Sequence, residues 1–316
     1  MKKMLILAVI VSLAAGSLFA QAQPGESVLI DFTRLAAGAD GENADTLVDF
    51  STARFPDMNT SLAIGNWDIE LTPSSNTITA RAKSLVREAP SQRFGTVMGV
   101  RVNFPVDRFH SSATVKPPFE IPAFEVDADG NVGPSRFQDG LGVAHNVATI
   151  RSIAVSVYGM NFPHSLSVIL LDERGNRRIV PMGTLNFDDW GVLTWNNPAY
   201  VQEVRNRDLR LVPIYPDSRP FVKFGGFEIR RDAAHQGGDF VTYFRDVKMI
   251  YDRAVLDVDN RDIDDEDIWG IISDRERDRM VREMERFGNK QILRHLEAQR
   301  QAPAGDEFFA LPDGNQ

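Results

Sequence analysis

Ile150-Arg151-Ser152-Ile153-Ala154-Val155-Ser156-Val157-Tyr158-Gly159, followed by Leu166-Ser167-Val168-Ile169-Leu170-Leu171-Asp172, is the stretch on which the fold turns. In its first half Ile153, Val155 and Val157 alternate with Ala154, Ser156 and Tyr158. That period of two marks a half-buried strand. The second half is nearly all apolar and too short for a buried helix, so it predicts an interior strand. Asp172-Glu173-Arg174-Gly175-Asn176 then turns the chain, and Arg178 to Met182 returns as a hairpin partner. Outward from this hairpin the same period recurs. Trp67, Ile69 and Leu71 alternate with polar neighbours, and Met98, Val100, Val102 and Phe104 repeat every second residue. Phe227 to Ile229 and Phe240 to Asp252 are two more strand regions, separated by a Gly237-Gly238 turn. Ten or more strands, many turns and no convincing helix between Val28 and Asp252 predict a mainly β protein, an antiparallel jelly-roll-like β-sandwich.

The chain has 316 residues, of which 43% are hydrophobic and 25% charged, a globular composition. Met1-Lys2-Lys3, the apolar run from Met4 to Ala15 and the small residues ending Ala20-Gln21-Ala22 form an export-signal pattern, with cleavage expected after Ala22. Removing Lys2 and Lys3 takes the net charge from −9 to −11, which argues against a basic nucleic-acid surface. The cysteine count is zero, so disulfides, thiolate metal sites and a cysteine nucleophile are excluded. Residues 23–254 are expected to form the sandwich, with long loops at about 33–66 and 105–146. Residues 255–267 form an acidic linker, with seven acids and one Arg between Asp257 and Asp267. Residues 268–316 are expected to be a helical tail with a frayed end, because Ile268, Ile271 and Ile272, then Met280, Met284 and Phe287, share helical faces.

The sequence carries no P-loop, GxGxxG, GxSxG or HExxH motif. His110, His145, His164, His235 and His295 are too far apart in sequence for a local metal motif. Asp127-Ala128-Asp129-Gly130-Asn131 opens like a calcium loop but lacks the later ligands, so a β-turn is preferred. The acids of Asp257 to Asp267 likewise miss calcium-loop spacing and suit a solvated linker that caps the following helix. No cofactor or metal is expected. Arg205, Arg207 and Arg210 form one basic patch that a partner's acids could meet. The strongest ligand candidates are aromatic. Trp190, Trp195 and Tyr200 lie close in sequence beside Asp and Asn, a composition that can stack on sugars and bond their hydroxyls. The competing expectation is that both tryptophans pack into the sandwich.

Residues 150–159, 166–172, 182–187 and 190–200 together resemble the flagellar filament outer layer (sheath) protein family of spirochaetes. So do Phe224-Gly225-Gly226-Phe227-Glu228-Ile229 and the run from Gly238 to Ala254. The resemblance implies a carbohydrate-binding-module-like sandwich that is not an enzyme. It implies a place in the periplasm, on the periplasmic flagellar filament, as a structural protein of motility. The implied partners are flagellin core subunits and other sheath subunits, including further copies of this chain. No catalytic residue comes with it. Long loops and the tail suit contact with those partners; Ile268, Trp269, Ile271, Ile272, Met280, Met284 and Phe287 of the tail are expected to pack either on the sandwich itself, the preferred reading, or on a neighbouring subunit. The alternative is a periplasmic or secreted carbohydrate-binding module that uses Trp190, Trp195 and Tyr200.

Overall fold

The computed structural model describes residues 24–37, 46–49, 59–106, 109–126, 132–200 and 220–254, together with 274, 277–283 and 293. The export signal, the Asp127–Asn131 turn, the Arg205–Arg210 patch, the acidic linker and most of the tail, with Trp269, Ile272, Met284 and Phe287, lie outside the described residues.

Sixteen strands and one short α-helix follow one another among the described residues from Pro24 to Arg253. They are β1 (Pro24–Asp31), β2 (Val48–Asp49), β3 (Asn59–Thr60), β4 (Asp68–Leu71), α1 (Ile78–Lys83), β5 (Leu85–Ser91), β6 (Gly95–Phe104), β7 (Ser111–Lys116) and β8 (Phe124–Val126). Then come β9 (Val132–Pro134), β10 (Val143–His145), β11 (Val147–Met160), β12 (Ser165–Asp172), β13 (Arg177–Thr184), β14 (Asp188–Asn196), β15 (Phe221–Arg231) and β16 (Gly238–Arg253). Twelve of the strands make two antiparallel six-stranded sheets. Sheet I runs β14-β11-β16-β6-β5, and β1 continues along the β6 side of β16. Sheet II runs β13-β12-β15-β7-β4, and β10 sits beside β7 along the same edge of β15.

The alternating residues decide which surfaces meet. Ile153, Val155 and Val157 of β11 are fully buried, as are Val102 and Met98 of β6. Leu166, Val168 and Leu170 of β12 face them from sheet II. The two sheets touch directly where Phe227 of β15 stacks on Phe244 of β16, with ring centroids 4.0 Å apart and planes 12° from parallel. A second aromatic nucleus surrounds Phe32, whose ring meets Trp67 edge-on at 5.4 Å and Phe224 at 6.2 Å. The Trp67 indole N–H donates to the Leu62 carbonyl at 2.9 Å, so this buried ring leaves no orphan donor. A bulge in β15 lets Phe224 and Phe227 both point inward. It needs Gly226, whose φ is +124° and whose missing Cβ would lie 2.1 Å from the Val115 carbonyl oxygen.

Two expectations are corrected. The segment 105–146 is not one long loop: β7 is an inner strand of sheet II, with Ala113 and Val115 fully buried. A helix also interrupts the strands: α1 is capped by the Thr77 side chain, which accepts from the Ala80 amide. No helix among the described residues is long and apolar enough to cross a membrane.

Candidate interaction surfaces

The three aromatic candidates do not converge. Trp190 and Trp195 are five positions apart on β14, and an odd separation on a strand places side chains on opposite faces. Trp195 stands opposite Ile153 and packs on the core between the sheets, with the Arg178 guanidinium 5.5 Å above its ring. Trp190 stands opposite Tyr158 on the outer face of sheet I. Tyr200 lies beyond the other end of β14. Its hydroxyl accepts from Arg151 Nε at 2.5 Å and donates to Asp252 Oδ1 at 3.4 Å, and Arg151 pairs with Asp252 at 3.0 Å. The Arg151 guanidinium also covers the Tyr200 ring at 4.8 Å. This network ties the end of β14 to β11 and β16.

The row that the structure builds instead was not foreseen. Trp190 of β14, Tyr158 of β11 and Tyr243 of β16 are directly opposite one another across three strands. Their rings meet edge-to-face, at 5.6 Å and 77° and at 5.8 Å and 79°. Phe94, from the turn between β5 and β6, adds its ring to Trp190 at 5.0 Å, and Arg245 lies 4.3 Å over Phe94. Arg93 pairs with Asp189 beside it at 3.1 Å. These rings are engaged with each other edge-to-face, which stiffens one end of the outer face.

Among the described residues the rest of that outer face is uncovered. No described segment crosses the strands β14, β11, β16 and β1 beyond the aromatic row. Val192 is 64% exposed and Ile250 38% exposed there.

The outer face of sheet II is the opposite case. Residues 117–126 and 132–142 fold over it with Phe119, Ile121, Phe124 and Phe137 buried. The helical residues 277–283 join this cover. Met280 packs against the core, and Arg279 pairs with Glu173 while lying 5.6 Å over the Phe221 ring. Beneath them Lys223 is 0% exposed, and its ammonium meets Glu283 of the tail and Glu120 of the cover at 3.4 Å. A buried cation is tolerated only with such partners, so the tail supplies a charge that the sandwich requires. A shallow groove of about 270 Å³ remains beside this cover, between Lys116, Phe119, Ile169, Leu171 and Arg177.

One end of the sandwich is closed by Arg231, fully buried, which donates to the carbonyls of Pro105 at 2.8 Å and Phe109 at 2.7 Å and to Ser111 Oγ at 3.2 Å. His164 sits close by among the rings of Phe104, Phe162 and Phe240. Burial, with smaller contributions from His235 and Arg231, lowers its pKa to about 4, so it is neutral at physiological pH. No group of three or more potential metal ligands occurs among the described residues.

Comparison with known proteins fixes the relationship. The profile of the family described as "Flagellar filament outer layer protein Flaa" matches residues 22–260. The chain belongs to this family. It is 44% identical over 306 residues to the flagellar filament outer layer protein of Spirochaeta aurantia, covering 91% of this chain and 90% of that one. It is 43% identical over 337 residues to the protein of the same description from Treponema pallidum (strain Nichols), covering 96% and 95%. Among solved structures, a carbohydrate-binding module of the β-sandwich superfamily aligns with a TM-score of 0.32 at 11% identity, over 59% of this chain and 57% of that one. A likeness that loose carries no ligand across.

Proposed function

We propose that this chain is a structural, non-catalytic component of the outer layer of the periplasmic flagellar filament. It is exported by its N-terminal signal and coats a flagellin core, to whose stiffness and motility it contributes. The observation that carries this reading is family membership across residues 22–260, the whole span of both sheets. The structure supports it in physical terms. Two six-stranded sheets joined by aromatic contacts make a rigid block, and a coat needs rigid blocks that meet partners over broad surfaces. The most prominent polar groups, Arg151, Asp252, Arg231 and Lys223, hold strands, loops and tail together.

Detergent-stripped filaments purified from the cell, probed with an antibody to this chain and compared with filaments from a deletion strain, test the proposal. The expected result is labelling along the filament and thinner, more flexible filaments without the chain. A chain recovered only in the soluble periplasmic fraction would remove it from the coat.

A further inference from the structure

We propose that the bare outer face of sheet I is a self-association surface, and that its occupant is the same face of a second copy of this chain. The inference rests on the outer-layer function and names one of its contacts.

Shape is the first support. On this face β11 presents Ser152, Ala154 and Ser156, all small. Its neighbour β16 presents larger groups at the positions directly opposite, Ile250 against Ser152 and Lys248 against Ala154. The face is therefore a trough beside a ridge. A two-fold axis along the seam between these two strands lays each copy's β16 ridge over the other's β11 trough. Isologous contacts require this kind of self-complementarity.

Charge is the second support. The chain carries a net charge of −9, so copies repel when they approach at random. On this face most charges are paired: Arg93 with Asp189, Arg101 with Asp239, Arg245 with Asp246 and Arg151 with Asp252. Glu26 of β1, opposite Ile250, and Asp188 of β14 are exposed acids outside these pairs, so the pairing reduces the repulsion between like-charged copies without abolishing it. The Lys248 side chain has no ion-pair partner among the described residues. Seated over the opposing trough, its ammonium is presented to the serine hydroxyls that line it, Ser152 and Ser156 of β11.

Extent sets the strength. Four strands about 4.8 Å apart and seven residues of about 3.3 Å give a patch of roughly 450 Å² per copy. That is below the ~800 Å² per partner of a standard stable complex, so a free dimer is weak. Repetition along a filament makes weak contacts sufficient.

The chain has no cysteine, which makes trapping clean. Full-length Ala154→Cys is treated with a short bis-maleimide, beside Ile179→Cys on β13 of sheet II as control. The expected result is a cross-linked dimer from Ala154→Cys and little from Ile179→Cys. In sedimentation, Ala154→Arg, which fills the trough, and Lys248→Glu are expected to weaken self-association at least tenfold with unchanged melting curves. Equal cross-linking at the two cysteines, or wild-type sedimentation by Ala154→Arg, overturns the proposal. The same Ala154→Cys chain is then cross-linked on isolated filaments. Capture of itself supports the face-to-face contact. Capture of a different filament protein overturns that contact while leaving the outer-layer function standing. Absence of the chain from filaments overturns the function itself, and the solution experiment then still decides the face.

Discussion

The two sheets are built alike on their inner sides and differ on their outer sides. Sheet II is roofed by its own chain, with fully buried aromatics in residues 117–126 and 132–142 and a buried ion pair that reaches the helical residues 277–283. Among the described residues sheet I is open over four strands, with small side chains on β11 and with Val192 of β14 and Ile250 of β16 exposed on either side of them. About twenty described residues cover one sheet and none crosses the other, so the two have different tasks. The covered sheet is finished within the molecule, and the open one is available to the assembly.

Substitutions can break this contrast. The largest effect is expected under the roof of sheet II. Phe119→Ala removes a ring that is 0% exposed and packs edge-on against Phe137 at 5.8 Å. Its expected cost is about 3–5 kcal/mol, measured by urea unfolding. Next comes Glu283→Ala, which leaves Lys223 buried with Glu120 as its remaining carboxylate at 3.4 Å. A loss of about 3 kcal/mol is expected, with residues 277–283 becoming sensitive to protease. An unchanged cleavage pattern would show that the tail is held by Met280 and Arg279 instead.

Acid should strike the end of the sandwich that both sheets share. His164 is 4% exposed and its pKa is lowered to about 4 in the folded chain, against 6.5 for an ordinary histidine. Below pH 6.5 the unfolded state takes up the proton first, so stability falls as pH drops from about 6.5 to about 4 and this contribution is exhausted below that. The full loss is ~3 kcal/mol. Melting of His164→Leu across the same window should lack that share of the decline. The smallest effect belongs to the open face, where Val192→Ser should change stability by less than about 0.5 kcal/mol. A large loss there would mean that the face is covered within the monomer.

Much of this was legible in the residues. The one-sided alternation in Ile153, Val155 and Val157 located β11, and the apolar run of β12, buried on both faces at Val168, Ile169 and Leu170, with the turn at Asp172 to Asn176 located β12 and β13. Strand β7 was hidden because only Ala113 and Val115 mark its buried side, amid Ser, Thr and Lys and close to prolines. Helix α1 buries only Ala80, so it has no apolar period to read, and its signal was the Thr77 cap alone. The separation of Trp190 from Trp195 was available in their spacing of five, once that segment is taken as a strand. Lys223 and Arg231 could not be found this way. A lone cation in a strand reads as outward-facing, and only tertiary contacts from Glu120, Glu283 and the Pro105 carbonyl reveal that each is buried.

The pairing of β1 with β16 has a consequence for how the molecule comes into being. Pro24 lies opposite Asp252, and β16 is also the strand that β11 and β6 both need as a neighbour. A polypeptide delivered from its beginning can pair β6 with β5 and β11 with β14, but it leaves β1 and the second edges of β6 and β11 waiting until β16, the last described strand, arrives. Such late, long-range closure is slow, and the waiting edges are exposed to wrong partners. The thread must be handed over whole before the sandwich can shut.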